Sequence, residues 1–443
     1  MNSSSTQELE SKCNSNGILP DIQKPKVYKI RWFILVLFVF FSASNSLQWI
    51  QYSIISPVIK EYYGVTNEWV NWTSLVYMIL YIPFIFPGSY LLEKLGLRLA
   101  VTIGILGTCL GAWVKVASVD PDRFLVGFAG QCLVALSQVF VLSVPARLSA
   151  VWFGPDQVSS ACSIGVFGNQ IGIATGFLIP PMIVTGGTTE EITQQLYILF
   201  IGVAILTSVL LVLILIFFRS GPPTPPSYAA QQQAEEDVSF TQSLKNLFKN
   251  KSFMLLLIAY GINVGVFYAI STLLSEIILK FYQGADKDAG RIGLVITVAG
   301  MVGSVCCGYV LDRFRKFKET TIVVYALSLV GMLVFTFCLS KGLTVVYLVS
   351  GFLGFFMTGL LPVGFELGSE LTYPEPEGTQ AGLLNAASQV FGITFTNLYS
   401  TLFYKVNDTW ANLSMSIALA VGLFLLSCVS SHLRRQAAIA ASK

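Results

Sequence analysis

The stretch Ser89–Arg98, SYLLEKLGLR, joins two long apolar segments, and an altered copy of it occurs at Gly308–Phe317, GYVLDRFRKF. In both copies a small residue is followed by an acid, a base and a turn. Glu93 corresponds to Asp312, and Lys94 to Arg313, each 219 residues further on. A charged turn that recurs between apolar segments at a fixed separation indicates an internal repeat in a membrane protein.

The composition supports a chain that crosses a bilayer many times. Of its 443 residues, 54% are hydrophobic and only 12% are charged, and the mean hydropathy is +0.69. Soluble domains carry about 25% charged residues. Each apolar run is long enough to cross a hydrocarbon core of about 30 Å as a helix. The sequence therefore predicts an all-α membrane protein with twelve spans, near residues 32–57, 69–92, 99–119, 124–146, 158–184, 195–218, 253–279, 291–311, 320–340, 343–365, 379–404 and 412–431.

The two halves of the chain share one register. The separation of 219 residues also relates Trp49 to Tyr268 and Gln170 to Gln389. A parallel repeat of six spans implies two pseudo-symmetric six-helix bundles about an axis along the membrane normal. The expected organisation is an N-terminal tail (1–30), a first bundle (31–219), a linker (220–250), a second bundle (251–433) and a C-terminal tail (434–443). The linker is rich in Pro and Gln, and its end, TQSLKNLFKN, is typical of a short amphipathic helix.

Basic residues decide the predicted orientation. Twelve spans place both termini on one side, and cytoplasmic segments are enriched in Lys and Arg. Residues 1–23 lack an apolar core, so no cleavable signal is predicted. We expect a multi-pass protein of the cell membrane with both termini in the cytoplasm. The residues that carry this orientation are Lys24, Lys26, Lys29, Arg31, Lys94, Arg98, Arg313, Arg315, Lys316, Lys318, Arg434 and Arg435.

Several kinds of protein are disfavoured. The net charge of +3 is too small to indicate a nucleic-acid partner, and the eight cysteines lack the spacing of a metal site. No nucleophile and base are arranged as in an enzyme. We expect no catalytic residue, metal or cofactor, and a monomer in the lipid bilayer. Asn407, in the predicted outer loop between spans 11 and 12, is a candidate for glycosylation.

The repeated loop resembles the signature of the major facilitator superfamily. It differs in two respects, because Glu93-Lys94 replaces the usual Asp-Arg and Arg315 stands where a turn glycine is expected. The resemblance implies the major facilitator fold, with a substrate cavity near the membrane midplane between the bundles. Spans 1, 4, 7 and 10 would line this cavity, with help from spans 5 and 11.

Span 1 contains an unusual concentration of polar residues, NSLQWIQYSII at 45–55. Polar side chains within a span need a cavity or another helix, because lipid cannot satisfy them. Asn45, Gln48, Trp49 and Tyr52 follow the spacing i, i+3, i+4 and i+7, which places them on one helix face. We expect this face to point at the cavity.

Three further residues complete the candidate site: Tyr268 on span 7, Gln170 in GNQIGIATG on span 5, and Gln389 in NAASQVFG on span 11. Two aromatic rings and two amides suit a small cation, because an aromatic face attracts a quaternary ammonium by about 0.5–2 kcal/mol. Amides can bind a hydroxyl or an amine. The alternative is that the aromatics anchor the helices and the amides join them.

Charged residues near the cytoplasmic ends are candidates for a gate. Proton-coupled carriers need a buried titratable carboxylate, and Glu366 is the one candidate in a span. Its shallow depth favours a gate and uncoupled transport. Its repeat counterpart is Arg147. The predicted gate consists of Glu93, Lys94, Asp312, Arg313, Arg147 and Glu366.

Longer strings resemble the feline leukaemia virus subgroup C receptor-related (FLVCR) transporters over residues 30–433. They include SLQWIQYSIISPV, ARLSAVWFGPDQVSSA and FELGSELTYPEPEGT. The resemblance implies transport of choline, and often ethanolamine, down its gradient. It also implies that a Trp of span 1 and a Tyr of span 7 cage the ammonium and that glutamines of spans 5 and 11 contact the substrate. The matching positions here are Trp49, Tyr268, Gln170 and Gln389.

The same family carries an older assignment as haem transporters. The single histidine, His432, lies outside the expected cavity, although Tyr268 or Tyr52 could bind the iron. No basic pair is evident for the haem propionates. Haem, another small amphipathic solute, a channel and a receptor role are the alternatives to a choline carrier.

Overall fold

The computed structural model describes residues 26–154, 157–226, 240–375 and 377–434. Within those ranges it contains twelve long helices, which are the predicted spans. Span 1 comprises Ile30–Ile50, a 3-10 turn at Ser53–Ile55 and a short helix at Ser56–Tyr63. The other spans of the first half are Asn67–Leu95, Leu97–Val116, Phe124–Trp152, Val158–Ile183 and Thr189–Phe217. Spans 7 to 12 are Lys251–Phe281, Asp286–Phe314, Phe317–Cys338, Leu343–Thr372, Glu377–Lys405 and Asp408–Ser427.

The internal repeat appears in the positions of the helices. Spans 2, 4, 5 and 6 begin at residues 67, 124, 158 and 189, and spans 8, 10, 11 and 12 begin at residues 286, 343, 377 and 408, each 219 residues later. The turn of the repeated loop also corresponds. Gly96 has a φ of 84°, and Arg315, at the equivalent position, adopts a φ of 52°. A left-handed backbone conformation is unfavourable for residues other than glycine. The fold therefore imposes the turn geometry on an arginine.

Spans 1 and 7 form the centre of the molecule. In their apolar segments 72% and 78% of the residues are buried, against 33–50% in the nine other apolar segments of the described residues, those of spans 2–6, 8–10 and 12. Span 6 lies at the opposite extreme and exposes a stripe of aliphatic side chains: Ile205, Val209, Val212 and Ile216. Apolar side chains on that stripe are suited to contact lipid, whereas the polar residues of span 1 are enclosed by protein.

Span 11 differs from the other helices in composition. Among the described residues, eleven helices are apolar and long enough to cross a membrane, and Glu377–Lys405 is not one of them although it has 29 residues. Its polar residues include Gln380, Gln389 and Asn397. Gln380 and Gln389 are each 1% exposed, so the polarity of span 11 faces protein.

The linker contains the predicted amphipathic helix, at Phe240–Lys249. Leu247 is buried, while Lys245 and Phe248 are exposed. Asn246 Nδ2 donates to Glu375 Oε1 at 2.8 Å, which joins this helix to the segment after span 10. The adjoining Asn250 caps span 7 by accepting from the Phe253 N–H at 3.2 Å. The linker therefore ends in a helix attached to the second half of the molecule.

The two halves meet through pairs of helices. We call the side at which span 1 begins and span 12 ends the terminal side, and the other the far side. Span 5 packs against span 8, and span 2 against span 11. On the far side, Asn67 Nδ2 of span 2 donates to Tyr404 Oη of span 11 at 2.7 Å, and that hydroxyl donates to Glu276 of span 7. Deeper in the molecule, Ser74 and Thr272 share a hydrogen bond of 2.9 Å between spans 2 and 7. These contacts bring the bundles together on the far side.

Candidate functional site

A small cavity lies between the two bundles, where spans 1, 2, 4, 5, 7 and 11 approach one another. Its volume is about 20 Å³, enough for about one water molecule. The side chains that line it are uncharged: Ser46, Trp49, Tyr77, Met78, Gln138, Asn169, Ile173, Tyr268 and Gln389. Among the described residues, the cavity thus combines aromatic rings with amides and has no formal charge in its lining.

Trp49 and Tyr268 meet directly across the interface. Their ring centroids are 5.5 Å apart and the ring planes are inclined by 70°, an edge-to-face arrangement favoured by aromatic pairs. Trp49 is only 4% exposed. Gly392 of span 11 permits this approach, because a Cβ atom there would lie 2.9 Å from Tyr268 Cδ2 and 2.7 Å from Met78 Sδ. The two residues therefore form one aromatic wall only while the bundles are together.

The amides around the cavity have unused hydrogen-bonding capacity. Gln138 Oε1 and Gln389 Nε2 are buried and have no hydrogen-bond partner among the described residues. Asn169 accepts a short hydrogen bond from Ser46 Oγ. Buried polar atoms normally have a partner, and leaving one unpaired costs about 1–3 kcal/mol. A polar ligand or a water in the cavity could satisfy both glutamines.

The predicted polar face of span 1 is divided by the structure. Trp49 lines the cavity, but Asn45, Gln48 and Tyr52 lie within the first bundle. Asn45 Nδ2 donates to Thr108 Oγ1 at 3.1 Å and to the Val134 carbonyl at 3.0 Å. Residues that share one helix face still point in somewhat different directions. Trp49 points towards the second bundle, whereas Asn45 points towards spans 3 and 4 of its own bundle. Gln48 accepts a hydrogen bond from Lys115 of span 3, and Tyr52 packs against Phe200 of span 6, so these three residues contact neighbouring helices of the first bundle.

Gln170 is also placed differently from the prediction. It is buried, and its Oε1 atom has no partner among the described residues, but it is not part of the cavity lining. Its neighbour Asn169 and Gln138 of span 4 line the cavity instead. The side chains of consecutive helical residues point about 100° apart. The sequence GNQIG alone therefore does not show whether Asn169 or Gln170 faces the partner bundle. Gln138 could have been identified from the sequence as a candidate for the cavity, because it is an amide within the apolar run of span 4.

The residues of the predicted gate lie at the terminal ends of the helices. Lys94, Arg313, Arg147 and Glu366 are exposed. The side chains of Glu93 and Asp312 lie outside the described part of the structure. The hydrogen bonds through Tyr404 join the bundles at the other end of the molecule.

Comparison with known proteins agrees with this architecture. Residues 32–396 match the model of the Major Facilitator Superfamily. A protein of Danio rerio, "Choline/ethanolamine transporter flvcr2b", is 47% identical over 93% of this chain and 86% of its own length.

The chain belongs to the FLVCR family of the major facilitator superfamily.

Two further relatives show similar agreement. The human "Choline/ethanolamine transporter FLVCR2" is 44% identical over 94% of this chain and 80% of its own length. An "Uncharacterized MFS-type transporter C09D4.1" of Caenorhabditis elegans is 50% identical over 94% of this chain and 72% of its own length. The protein is therefore a multi-pass membrane transporter and not an enzyme.

Solved structures support the same fold at much lower sequence identity. The Escherichia coli fucose:proton symporter FucP has a TM-score of 0.65 and 14% identity, with 92% of this chain and 100% of that chain covered. A bacterial homologue of the lysosomal transporter Spinster has a TM-score of 0.68 and 12% identity, with 93% and 99% covered. The fold is that of the superfamily, with the cavity at its usual place between the bundles.

Proposed function

We propose that this protein is a facilitative transporter of choline and ethanolamine that works by alternating access. The observation that carries the proposal is the cavity in which Trp49 and Tyr268 meet from opposite bundles, beside two glutamines that each have one buried amide atom without a partner among the described residues. An aromatic wall attracts an ammonium without a counter-charge. The relatives from Danio rerio and human are named choline/ethanolamine transporters, which supports choline and ethanolamine as the substrates.

The size of the cavity supports a moving interface. A volume of about 20 Å³ is too small for choline, which has several times the bulk of a water molecule. Because Trp49 and Tyr268 belong to different bundles, a tilt of one bundle against the other widens the cavity between them. Substrate would enter while the rings are apart and be enclosed as they approach.

The remaining polar groups have distinct proposed roles. Gln138 and Gln389 serve the hydroxyl or amine end of the substrate, because their free amide atoms can donate or accept. Gln170, predicted from the sequence for the same role, is proposed as a weaker contact beside the cavity. The roles proposed for Asn45, Gln48 and Tyr52 are indirect: these residues influence substrate binding by fixing the position and conformation of span 1.

Haem fits this cavity poorly. Its described lining contains neither His nor Cys, so Tyr77 and Tyr268 are the available oxygen ligands. No basic side chain of the lining could pair with the propionates, and His432 is exposed beyond span 12. An ammonium is the better match.

Labelled-substrate transport in liposomes tests the proposal. We expect saturable choline uptake with counterflow, and thermal stabilisation by choline and ethanolamine but not by betaine or haem. Linear uptake without counterflow would indicate a channel instead.

Gln138→Ala and Gln170→Ala form a matched pair of variants. Each removes one buried amide from the same bundle, but only Gln138 lines the cavity. We expect Gln138→Ala to weaken choline binding by roughly fivefold, since losing a hydrogen bond costs about 1 kcal/mol. Gln170→Ala should change binding less than twofold by the same argument. The opposite order would favour the site predicted from the sequence.

The orientation in the membrane is proposed from the charges. We propose that the terminal side is cytoplasmic, because basic residues cluster on that side. We further propose that the protein works as a monomer in the plasma membrane. Asn407, exposed between spans 11 and 12 on the far side, would then be glycosylated. A shift on deglycosylation that disappears in Asn407→Gln would support this orientation. A native chain without any glycan-dependent shift would argue against glycosylation there.

A further inference from the structure

The first helix of span 1 ends inside the protein. It stops at Ile50, and the chain passes through a 3-10 turn at Ser53–Ile55 before the helix resumes. The last carbonyl groups of a helix have no partners within the helix, and a buried helix end needs them from elsewhere. The turn is fully buried and contacts spans 2, 5, 7 and 8. The break therefore lies at the junction of the bundles.

A side chain from span 4 meets one of these carbonyl groups. Gln131 Nε2 donates to the Gln48 carbonyl at 2.8 Å and to the Thr73 carbonyl of span 2 at 2.9 Å. Gln131 has no exposed surface. One amide group thus ties the broken end of span 1 to spans 2 and 4.

A buried lysine from span 3 holds the same residue. Lys115 is 1% exposed, and its Nζ atom donates to Gln48 Oε1 at 3.0 Å and lies 5.7 Å from the centre of the Tyr52 ring. Among the described residues it forms no ion pair with a carboxylate. An ionisable side chain buried inside a membrane protein is costly and therefore indicates a candidate functional position. The two contacts of its Nζ atom, with Gln48 and Tyr52, are with span 1 on either side of Trp49.

We propose that Lys115 and Gln131 are positioning residues that hold the broken end of span 1 so that Trp49 meets Tyr268. Trp49 follows Gln48 in the last helical turn, so whatever fixes Gln48 also fixes the cage tryptophan. Neither positioning residue lines the cavity. They act on the substrate through Trp49, and this role rests on the proposed function.

A double-mutant cycle with Trp49 separates this role from a general effect on stability. The choline dissociation constant is measured for the wild type, Lys115→Met, Trp49→Ala and the double variant, all in the full-length purified protein. We expect Lys115→Met to weaken binding by roughly fivefold when Trp49 is present and by less than about twofold in Trp49→Ala, because contacts that act through one side chain do not add.

Gln131→Met provides a second cycle, which keeps the test possible if Lys115→Met does not fold. Tyr325→Phe is the matched control. It removes another buried hydrogen bond, from the Tyr325 hydroxyl to the Ala259 carbonyl of span 7 at 2.8 Å. We expect it to lower the melting temperature while changing choline affinity by the same factor with and without Trp49.

The outcomes distinguish the two proposals. Equal effects of Lys115→Met and Gln131→Met in both backgrounds, with Trp49→Ala itself weakening binding, overturn the positioning role alone. Unchanged choline binding in Trp49→Ala overturns the cage and the positioning role together.

Discussion

Replacing Trp49 by alanine tests the aromatic cage most directly. Trp49 is 4% exposed and touches Tyr268 with ring centroids 5.5 Å apart, so an ammonium beside it would be largely desolvated. A desolvated cation–π contact is worth about 2 kcal/mol, which corresponds to a factor of roughly 30 in affinity. We therefore expect Trp49→Ala to weaken choline binding about 30-fold, and Trp49→Phe to retain part of the attraction.

The assay compares choline with its uncharged isostere, in which carbon replaces nitrogen. Binding is measured for both ligands on the purified protein, with melting temperatures recorded because a buried Trp→Ala change can cost about 3–5 kcal/mol of stability. We expect the isostere to bind weakly to the wild type and to lose little more in Trp49→Ala. If it binds the wild type as well as choline does, the site recognises shape and apolar surface, and the cage hypothesis is wrong.

Three further predictions concern coupling and conformational change. Because no carboxylate lines the described part of the cavity, choline uptake should be independent of a sodium gradient and only weakly dependent on a pH gradient, while membrane potential drives the charged substrate. A tenfold stimulation by an inward proton gradient at fixed potential would contradict uniport and implicate Glu366. Asp312→Asn should shift the balance between the two access states if the terminal gate uses the repeated loop, and unchanged labelling of Met78→Cys, in a background from which the eight native cysteines have been removed, would count against that gate. Tyr404→Phe removes the far-side hydrogen bonds to Asn67 and Glu276. Labelling of the same cysteine from the far side should then increase by about fivefold for each 1 kcal/mol by which the closed far side is destabilised. No increase would show that the far side is held closed by apolar packing instead.

The helices and the repeat could be predicted from the sequence because both depend on properties of single residues. Apolar runs of spanning length must become helices in lipid, and a duplicated chain keeps its register, which is why Arg315 occupies a glycine position. The contact of Trp49 with Tyr268 follows from the same symmetry.

The lining of the cavity could be predicted only in part. Periodicity tells which residues share a helix face but not which neighbouring helix that face meets. Gln48 and Trp49 are consecutive, yet one contacts Lys115 of the same bundle and the other contacts Tyr268 of the opposite bundle. For the same reason Gln170 was predicted where Asn169 and Gln138 lie. The signal for the break in span 1 is Pro57, which lies in the first turn of the helix that resumes at Ser56 and cannot donate a hydrogen bond to the preceding turn.

The polarity of span 11 has a consequence for how the chain is made. Each helix of a membrane protein leaves the translocon according to its own preference for lipid, and amides and charges oppose that step. Glu377–Lys405 buries Gln380 and Gln389 against protein, so its partners must be present before it can settle. Span 7 precedes it in the chain and packs along it, and span 12 follows after a loop of two residues. Span 11 should therefore enter the bilayer late, as a hairpin with span 12 that packs against span 7, which is already inserted. Truncation before Asp408 should leave span 11 accessible to the aqueous phase during synthesis.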